Sequence, residues 1–195
     1  MLAAVILAAG GSQRMGSPKA LLAYQGRPFL EHLLDITRHP KIGLQRVVLG
    51  AHAGTIQSQL ALDSSIVVLN PEWQSGQLSS IQAGIRSLPE GATDGMLLCL
   101  VDHPLISSAL VNELIEAFYS SSKGIVVPVH NAQRGHPVLF SSKLYAELLA
   151  APADQGARAV VWAHAADVLE LPTSEPGVTL NLNDPEALTR ALNNL

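Results

Sequence analysis

Short apolar runs alternate along the chain with longer stretches in which apolar positions recur every three or four residues. Ala3–Ala8, Arg46–Gly50, Ile66–Asn70, Met96–Val101 and Gly124–Val129 each hold three or more apolar residues in succession, rich in Val, Ile and Leu. That is the pattern of strands covered on both faces. Between them, Phe29–Arg38, Gly54–Leu60, Leu78–Leu88 and Ser108–Ser120 carry a helical period. Ser107 or Ser108 is a candidate cap for the last of these, with Glu113 and Glu116 early in the helix. Alternation of strand and helix predicts parallel βαβ crossovers. After Val129 the rhythm changes. A strand is expected over His136–Phe140 and helices over Ser141–Ala150 and Gly156–Ala165. Strands are expected over Val168–Leu171 and Val178–Leu182. A closing helix is expected over Asp184–Leu195, with Pro185 in its first turn. The fold expected is α/β, with a mostly parallel central sheet and a small mixed, partly antiparallel C-terminal portion.

Composition narrows this further. The 195 residues suit a single domain, residues 1–195, and 48% hydrophobic against 14% charged favours a well-buried core. No repeat, low-complexity segment or long linker interrupts the chain. The net charge of −4 implies no broad basic face, which argues against a nucleic-acid partner. Cys99 is the only cysteine and lies inside the run MLLCLV, so a buried thiol is expected rather than a nucleophile. The opening MLAAVILAAGG lacks the basic segment of a signal peptide. No apolar run approaches the ~20 residues of a membrane helix, so no membrane partner and a cytoplasmic location are expected.

The segment LAAGGSQRMGSPK, Leu7–Lys19, departs from the apolar pattern. It holds three glycines, Arg14 and Lys19, and no carboxylate. It follows the first strand, and in an open α/β sheet ligands bind beyond the carboxyl ends of the strands. Glycines let backbone N–H groups approach a ligand closely, and successive inward amides form an anion nest. Arg14 adds a planar fork and Lys19 a point charge. A triphosphate needs this combination; a single phosphate or a carboxylate suits it too, and so does a merely solvated turn. Two familiar loops fail on residues. The P-loop lysine position is taken by Ser17, with Lys19 too late and after Pro18. Gly10-Gly11-Ser12 has the wrong spacing for a dinucleotide loop, and the second strand runs into Gly50-Ala51-His52 instead of an acid.

Four further elements stand beside strand ends. Asp102, in VDHPL, offers a hard oxygen ligand suited to Mg²⁺, or else a turn or helix cap. His103 follows it. Asn70-Pro71-Glu72-Trp73, then Gly76–Ile81, leads from the third strand into a helix. Ser79 and Ser80 there suit a base edge or a helix cap, and Trp73 suits packing over the sheet edge. Gly135-His136-Pro137-Val138 reads alone as a turn before a strand. Asn181–Glu186 ends a strand and opens the last helix, where Asp184 suits a cap.

Together these residues carry a resemblance. Leu7–Lys19 resembles the L-A-A-G-x-S-x-R-M-G-x-P-K signature of nucleotidyltransferases, within the MobA-like NTP transferase family. It is most similar to the MocA-like branch, the molybdenum cofactor cytidylyltransferases. The N-P-x-W-x-x-G-x-x-S-S-I stretch, Asp102, the G-H-P-V element and Asn183 follow in that family's order, from Leu7 to Glu186. The resemblance implies a Rossmann-like three-layer fold of the nucleotide-diphospho-sugar transferase type. It implies nucleotide binding by Leu7, Ala8, Ala9, Gly10, Gly11, Ser12, Arg14, Met15, Gly16 and Lys19, with Asn70, Ser79 and Ser80 bordering the base. Lys19, Arg14 and Asp102 inherit catalytic roles, with Mg²⁺ on Asp102 and on Asn183, a neutral and weaker ligand than aspartate. His136 and His103 fall near the acceptor. The implied reaction transfers CMP from CTP to the phosphate of molybdenum-bound molybdopterin and releases pyrophosphate. Leu-Ala-Ala-Gly, in place of the guanylyl branch's Leu-x-Gly-Gly, favours CTP. The recipient of the product would be a molybdenum hydroxylase or its chaperone. The alternatives are transfer to another phosphorylated metabolite, such as a sugar or alditol phosphate, and a non-catalytic nucleotide- or cofactor-binding chaperone.

Overall fold

The computed structural model describes residues 1–12, 16–182 and 186. Its strands are β1 (Leu2–Ala8), β2 (Ala23–Tyr24), β3 (Arg27–Pro28), β4 (Ile42–Leu49), β5 (Val67–Leu69), β6 (Gly95–Leu100), β7 (Ile125–His130), β8 (Gln133–Arg134), β9 (Val138–Ser141) and β10 (Val168–Pro172). The helices are α1 (Phe29–Ile36), α2 (Ala53–Gln59), α3 (Gln77–Arg86), α4 (Ser108–Ser120), α5 (Tyr145–Ala150) and α6 (Arg158–Ala163).

The main sheet runs β10-β7-β9-β6-β1-β4-β5, with β8 paired to β7. β1 is parallel to β4 on one side and to β6 on the other, Ile6 facing both Val47 and Cys99. β4 pairs parallel with β5, and β10 with β7. β9 inverts the direction, pairing antiparallel with both β6 and β7. This is the expected α/β fold with a mostly parallel centre and a mixed C-terminal part.

The continuous apolar runs reflect two cores, one on each face. Leu2, Ile6 and Ala8 of β1 join Leu97 and Cys99 of β6 under Leu30 and Leu33 of α1 and Leu110 and Leu114 of α4. The alternate residues Ala3, Val5 and Leu7 join Met96 and Leu98 under Ile81 and Ile85 of α3, Leu148 of α5 and Val160 of α6. Successive side chains of a strand point to opposite faces, so both sets must be apolar. Truncating a fully buried member such as Leu33 to alanine is expected to cost about 2–5 kcal/mol.

Ser107 caps α4, its Oγ accepting the Leu110 N–H at 3.1 Å. Glu113 and Glu116 lie within α4 but beyond its first turn, which holds no acid of its own. Instead Glu175, distant in sequence, accepts the Ser107 N–H at 3.0 Å and also the Ser107 hydroxyl. A carboxylate at a helix start is favoured by the orphan amides there.

Val178–Leu182 is not a strand. Pro176–Val178 forms one 3₁₀ turn, and the backbone then runs across the end of the sheet. Its polar groups bond locally or to loops: the Thr179 N–H to the Pro176 carbonyl, the His136 N–H to the Val178 carbonyl, and the Leu182 N–H to the Asp102 carbonyl. Val178 and Leu182 are apolar because they plug the core from that end. Gly177 is packed onto the Leu105 carbonyl with no room for a side chain. Two short hairpins were not expected, β2–β3 and β7–β8. Each turns on two residues with positive φ, Gln25 and Gly26 in one, Asn131 and Ala132 in the other. The expected helix Asp184–Leu195 lies outside the described residues, apart from Glu186.

Candidate active site

From β1 the chain moves outward to β4 and β5, then crosses back by α3 to β6 on the other side of β1. The connections leaving β1 and β6 therefore diverge, opening a crevice at their carboxyl ends. A cleft of about 470 Å³ lies there. Leu7, Ala8, Ala9, Gly10, Gly11, Ser12, Pro18, Lys19 and Ala20 border it from the β1 loop. Leu100, Val101 and Asp102 border it from β6, and Trp73, Gln74, Gly76, Gln77 and Ser80 from the entry to α3, with Ile56 of α2.

The loop is held by its own carbonyls and by Ser12. The Ala9 carbonyl accepts the Ala51 N–H at 3.1 Å, and the Gly11 carbonyl accepts His52 Nε2 at 3.0 Å. Ser12 sits at φ 46°, and its Oγ accepts the Lys19 N–H at 3.0 Å, closing the loop at its far end. Gly16 takes φ 66°, a region that favours glycine. A single 3₁₀ turn, Lys19–Leu21, then presents the Lys19 side chain.

Lys19 Nζ lies 3.1 Å from Asp102 Oδ2, so the glycine-loop signature meets the acid that follows β6. The side chains keep 16% and 21% of their exposure, enough to meet the cleft while being largely shielded from bulk water. Among the described residues no group of three or more His, Cys, Asp or Glu gathers to hold a metal. Asp102 supplies one hard carboxylate on the cleft wall. That fits an ion such as Mg²⁺, which takes one or two carboxylates and completes its shell with phosphate oxygens and water.

Asn70 does not border the cleft. It is buried, donates from Nδ2 to Ser79 Oγ (2.9 Å) and Ser80 Oγ (3.0 Å), and accepts the Glu72 N–H at 3.0 Å. It thus fixes the turn that brings Gly76, Gln77 and Ser80 to the cleft. Neither serine caps α3, whose first residue is Gln77; the Ser79 hydroxyl lies within reach of the Glu72 and Gly76 carbonyls. Trp73 packs its Cβ against Gly50 and also faces the cleft.

His103 and His136 pair with each other, ring centroids 5.1 Å apart, against the Gly177–Val178 backbone and beside Asp102. They are not on the wall of the cleft itself. Their Nδ1 atoms are buried and have no hydrogen-bond partner among the described residues. Burial holds both rings neutral, His103 below its ordinary range and His136 down to about 4, with the neighbouring His103 adding to the latter. Cys99 is fully buried and its thiol is pushed up to about 12 by burial, as befits a core residue. Arg14, Met15, Asn183 and Asp184 lie outside the described residues. His52 and Gly50 escaped the sequence reading. The G-A-H stretch after β4 signalled only that no acid was present.

Residues 4–168 match the model of the MobA-like NTP transferase domain. The chain belongs to the MobA-like NTP transferase family. It is 33% identical over 150 residues to the nicotine blue oxidoreductase of Paenarthrobacter nicotinovorans, covering 72% of this chain and 71% of that one. It is 28% identical over 174 residues to the purine catabolism protein PucB of Bacillus subtilis strain 168, covering 80% and 78%. Among solved structures, Rv0371c from Mycobacterium tuberculosis H37Rv superposes with a TM-score of 0.85 at 27% identity, covering 100% of this chain and 99% of that one. Rv0371c in complex with manganese gives 0.82 at 26%, with the same coverage. This MobA-like chain thus shares its whole fold with a protein that has been crystallised with a divalent metal. None of its described helices is long and apolar enough to cross a membrane.

Proposed function

We propose that the chain transfers CMP from CTP to the phosphate of molybdenum-bound molybdopterin, releasing pyrophosphate. The observation that supports this most is the 3.1 Å contact between Lys19 and Asp102 across a glycine-lined cleft at the switch point of the sheet. In this reading the amides of Gly10, Gly11, Ser12 and Gly16, with Arg14 and the adjoining Met15, hold the β- and γ-phosphates. Leu7, Ala8 and Ala9 lie along the nucleoside, and the turn fixed by Asn70, Ser79 and Ser80 borders the base. The choice of CTP rests on the likeness of Leu-Ala-Ala-Gly to the cytidylyl branch.

The acceptor phosphate is already anionic near neutral pH, so no protein base is required. One of its oxygens attacks the α-phosphorus, and the bond from that phosphorus to the bridging oxygen of the β-phosphate breaks. Pyrophosphate leaves with the bonding electrons. The protein's contribution is then positioning and charge stabilisation. Lys19, released from Asp102, neutralises charge on the α-phosphoryl group, while Arg14 and the loop amides retain the leaving pyrophosphate. Mg²⁺ held by Asp102, with Asn183 as a neutral second ligand, would supply further charge neutralisation to the phosphates. His103 and His136 belong to the Asp102 end of the site. Being neutral, they suit contact with the acceptor without adding charge. A molybdenum hydroxylase or its chaperone would take the product in the cytoplasm.

The test is pyrophosphate release with each of the four nucleoside triphosphates, Mg²⁺, and the molybdenum-loaded pterin present or absent. Release with CTP and the pterin together is expected. Release only with a sugar or alditol phosphate would reassign the acceptor. Tight CTP binding with no release under any combination would make the protein a carrier instead of a transferase.

A further inference from the structure

We infer that His52 is a positioning residue for the phosphate cradle, acting through the Gly11 peptide; this rests on the reading of the cleft as a nucleoside-triphosphate site. Gly50, Ala51 and His52 follow β4 and do not border the cleft; they lie behind the glycine loop. From there the Ala51 N–H draws the Ala9 carbonyl at 3.1 Å, and His52 Nε2 draws the Gly11 carbonyl at 3.0 Å. The acceptor is a carbonyl, so Nε2 carries the proton.

A trans peptide is planar, with its C=O and N–H pointing in opposite directions. Fixing the Ala9 and Gly11 carbonyls toward the Ala51–His52 turn therefore aims the Gly10 and Ser12 amides away from it, toward the cleft these residues line. Two alternate peptides are set by two bonds from one turn. Left to itself, a Gly10-Gly11 pair has wide backbone freedom and would present carbonyl oxygen to an anion as readily as N–H. Ser12 Oγ, on the Lys19 N–H, fixes the other end. His52 thus touches no phosphate, yet sets the orientation of the amides that would.

The experiment compares His52→Leu, His52→Asn and His52→Gln with the wild-type chain. Binding of CTP and of inorganic triphosphate, each with Mn²⁺, is measured by calorimetry alongside the thermal midpoint. The Gln side-chain amide reaches as far as Nε2; that of Asn does not. His52→Leu and His52→Asn are expected to weaken both ligands about tenfold, the scale of one lost hydrogen bond, and His52→Gln to stay within about threefold of wild type. A general loss of packing would track the thermal midpoint and would not be rescued by Gln alone. Wild-type affinity in both His52→Leu and His52→Asn would overturn the inference, and so would equal weakening by Asn and Gln. Failure of the wild-type chain to bind either ligand would overturn the triphosphate reading and the role of His52 with it, a result distinct from normal binding by the variants.

Discussion

Lys19 and Asp102, 83 positions apart in the chain, place Nζ and Oδ2 3.1 Å from each other at the mouths of two adjacent parallel strands. The two charges neutralise each other. A metal on Asp102 has to share or displace the lysine, and a triphosphate offers that lysine another anion. We therefore predict that Lys19→Met raises the affinity for Mn²⁺ without nucleotide about fivefold, as expected for loss of a partly shielded competing cation. Asp102→Asn should abolish that binding. Manganese titration followed by electron paramagnetic resonance reads both, and an unchanged affinity in Lys19→Met would place the metal elsewhere.

Turnover should fall on loss of either side chain. Lys19→Ala and Asp102→Ala are each expected to lower the rate of pyrophosphate release about 10²–10³-fold with the thermal midpoint little changed, since in the proposed reaction both groups act on transferring charge. Near-normal turnover in either variant would remove that residue from the chemistry.

Gly50 carries the loop from behind. A methyl added there would stand 2.6 Å from the Ala9 carbonyl and 2.7 Å from the Trp73 Cβ, neither of which is the end of a flexible chain. Gly50→Ala is expected to destabilise the fold by about 1–3 kcal/mol and to weaken triphosphate binding. Urea denaturation checks the first effect. A midpoint equal to wild type would mean that the loop and Trp73 yield more easily than their packing implies.

His136 gives stability a pH dependence. Its native pKa of about 4 lies below the ~6.5 of an exposed imidazole, so between these values the unfolded chain binds a proton that the native chain does not. The stability due to this group is complete above ~6.5 and is lost as pH falls toward 4, by roughly 3 kcal/mol. His103, shifted in the same direction by burial, adds to the same loss. Denaturation of the metal-free protein at pH 7 and pH 4.5 should show it, and His136→Gln should flatten the difference. An equal pH response in that variant would contradict the assignment.

Much of this was legible before the fold was seen. The run Leu2–Ala8 is apolar at every position because β1 has a core on each side, and a glycine-rich, cationic loop after such a strand can lie only at the ligand-binding edge. Asp102 was legible for the same reason, as an acid ending another buried strand. Val178–Leu182 misled because burial alone makes a segment apolar, and period and length do not separate a short strand from an irregular plug. The Glu175–Ser107 and His52–Gly11 contacts join residues 68 and 41 positions apart. One partner in each is a common residue type, or a bare carbonyl, and leaves no trace in the sequence. Asn70 announced itself by its neighbours Ser79 and Ser80, but only the hydrogen bonds show that it holds their turn from inside.

Nucleotide choice is separable from the rest of the reading. With metal present, CTP should raise the thermal midpoint more than GTP does, because stabilisation follows ligand affinity. Equal shifts, or a larger one with GTP, would remove the cytidylyl assignment while leaving the triphosphate cradle intact.

The most direct measurement is a crystal structure of the protein grown with CTP and Mn²⁺, with manganese located by its anomalous signal. The phosphates should rest on the Gly10–Ser12 amides, with Lys19 turned from Asp102 to the α-phosphate and manganese ~2.2 Å from an Asp102 oxygen. Nucleotide bound away from the glycine loop, or manganese bound with no Asp102 oxygen in its shell, would contradict the account.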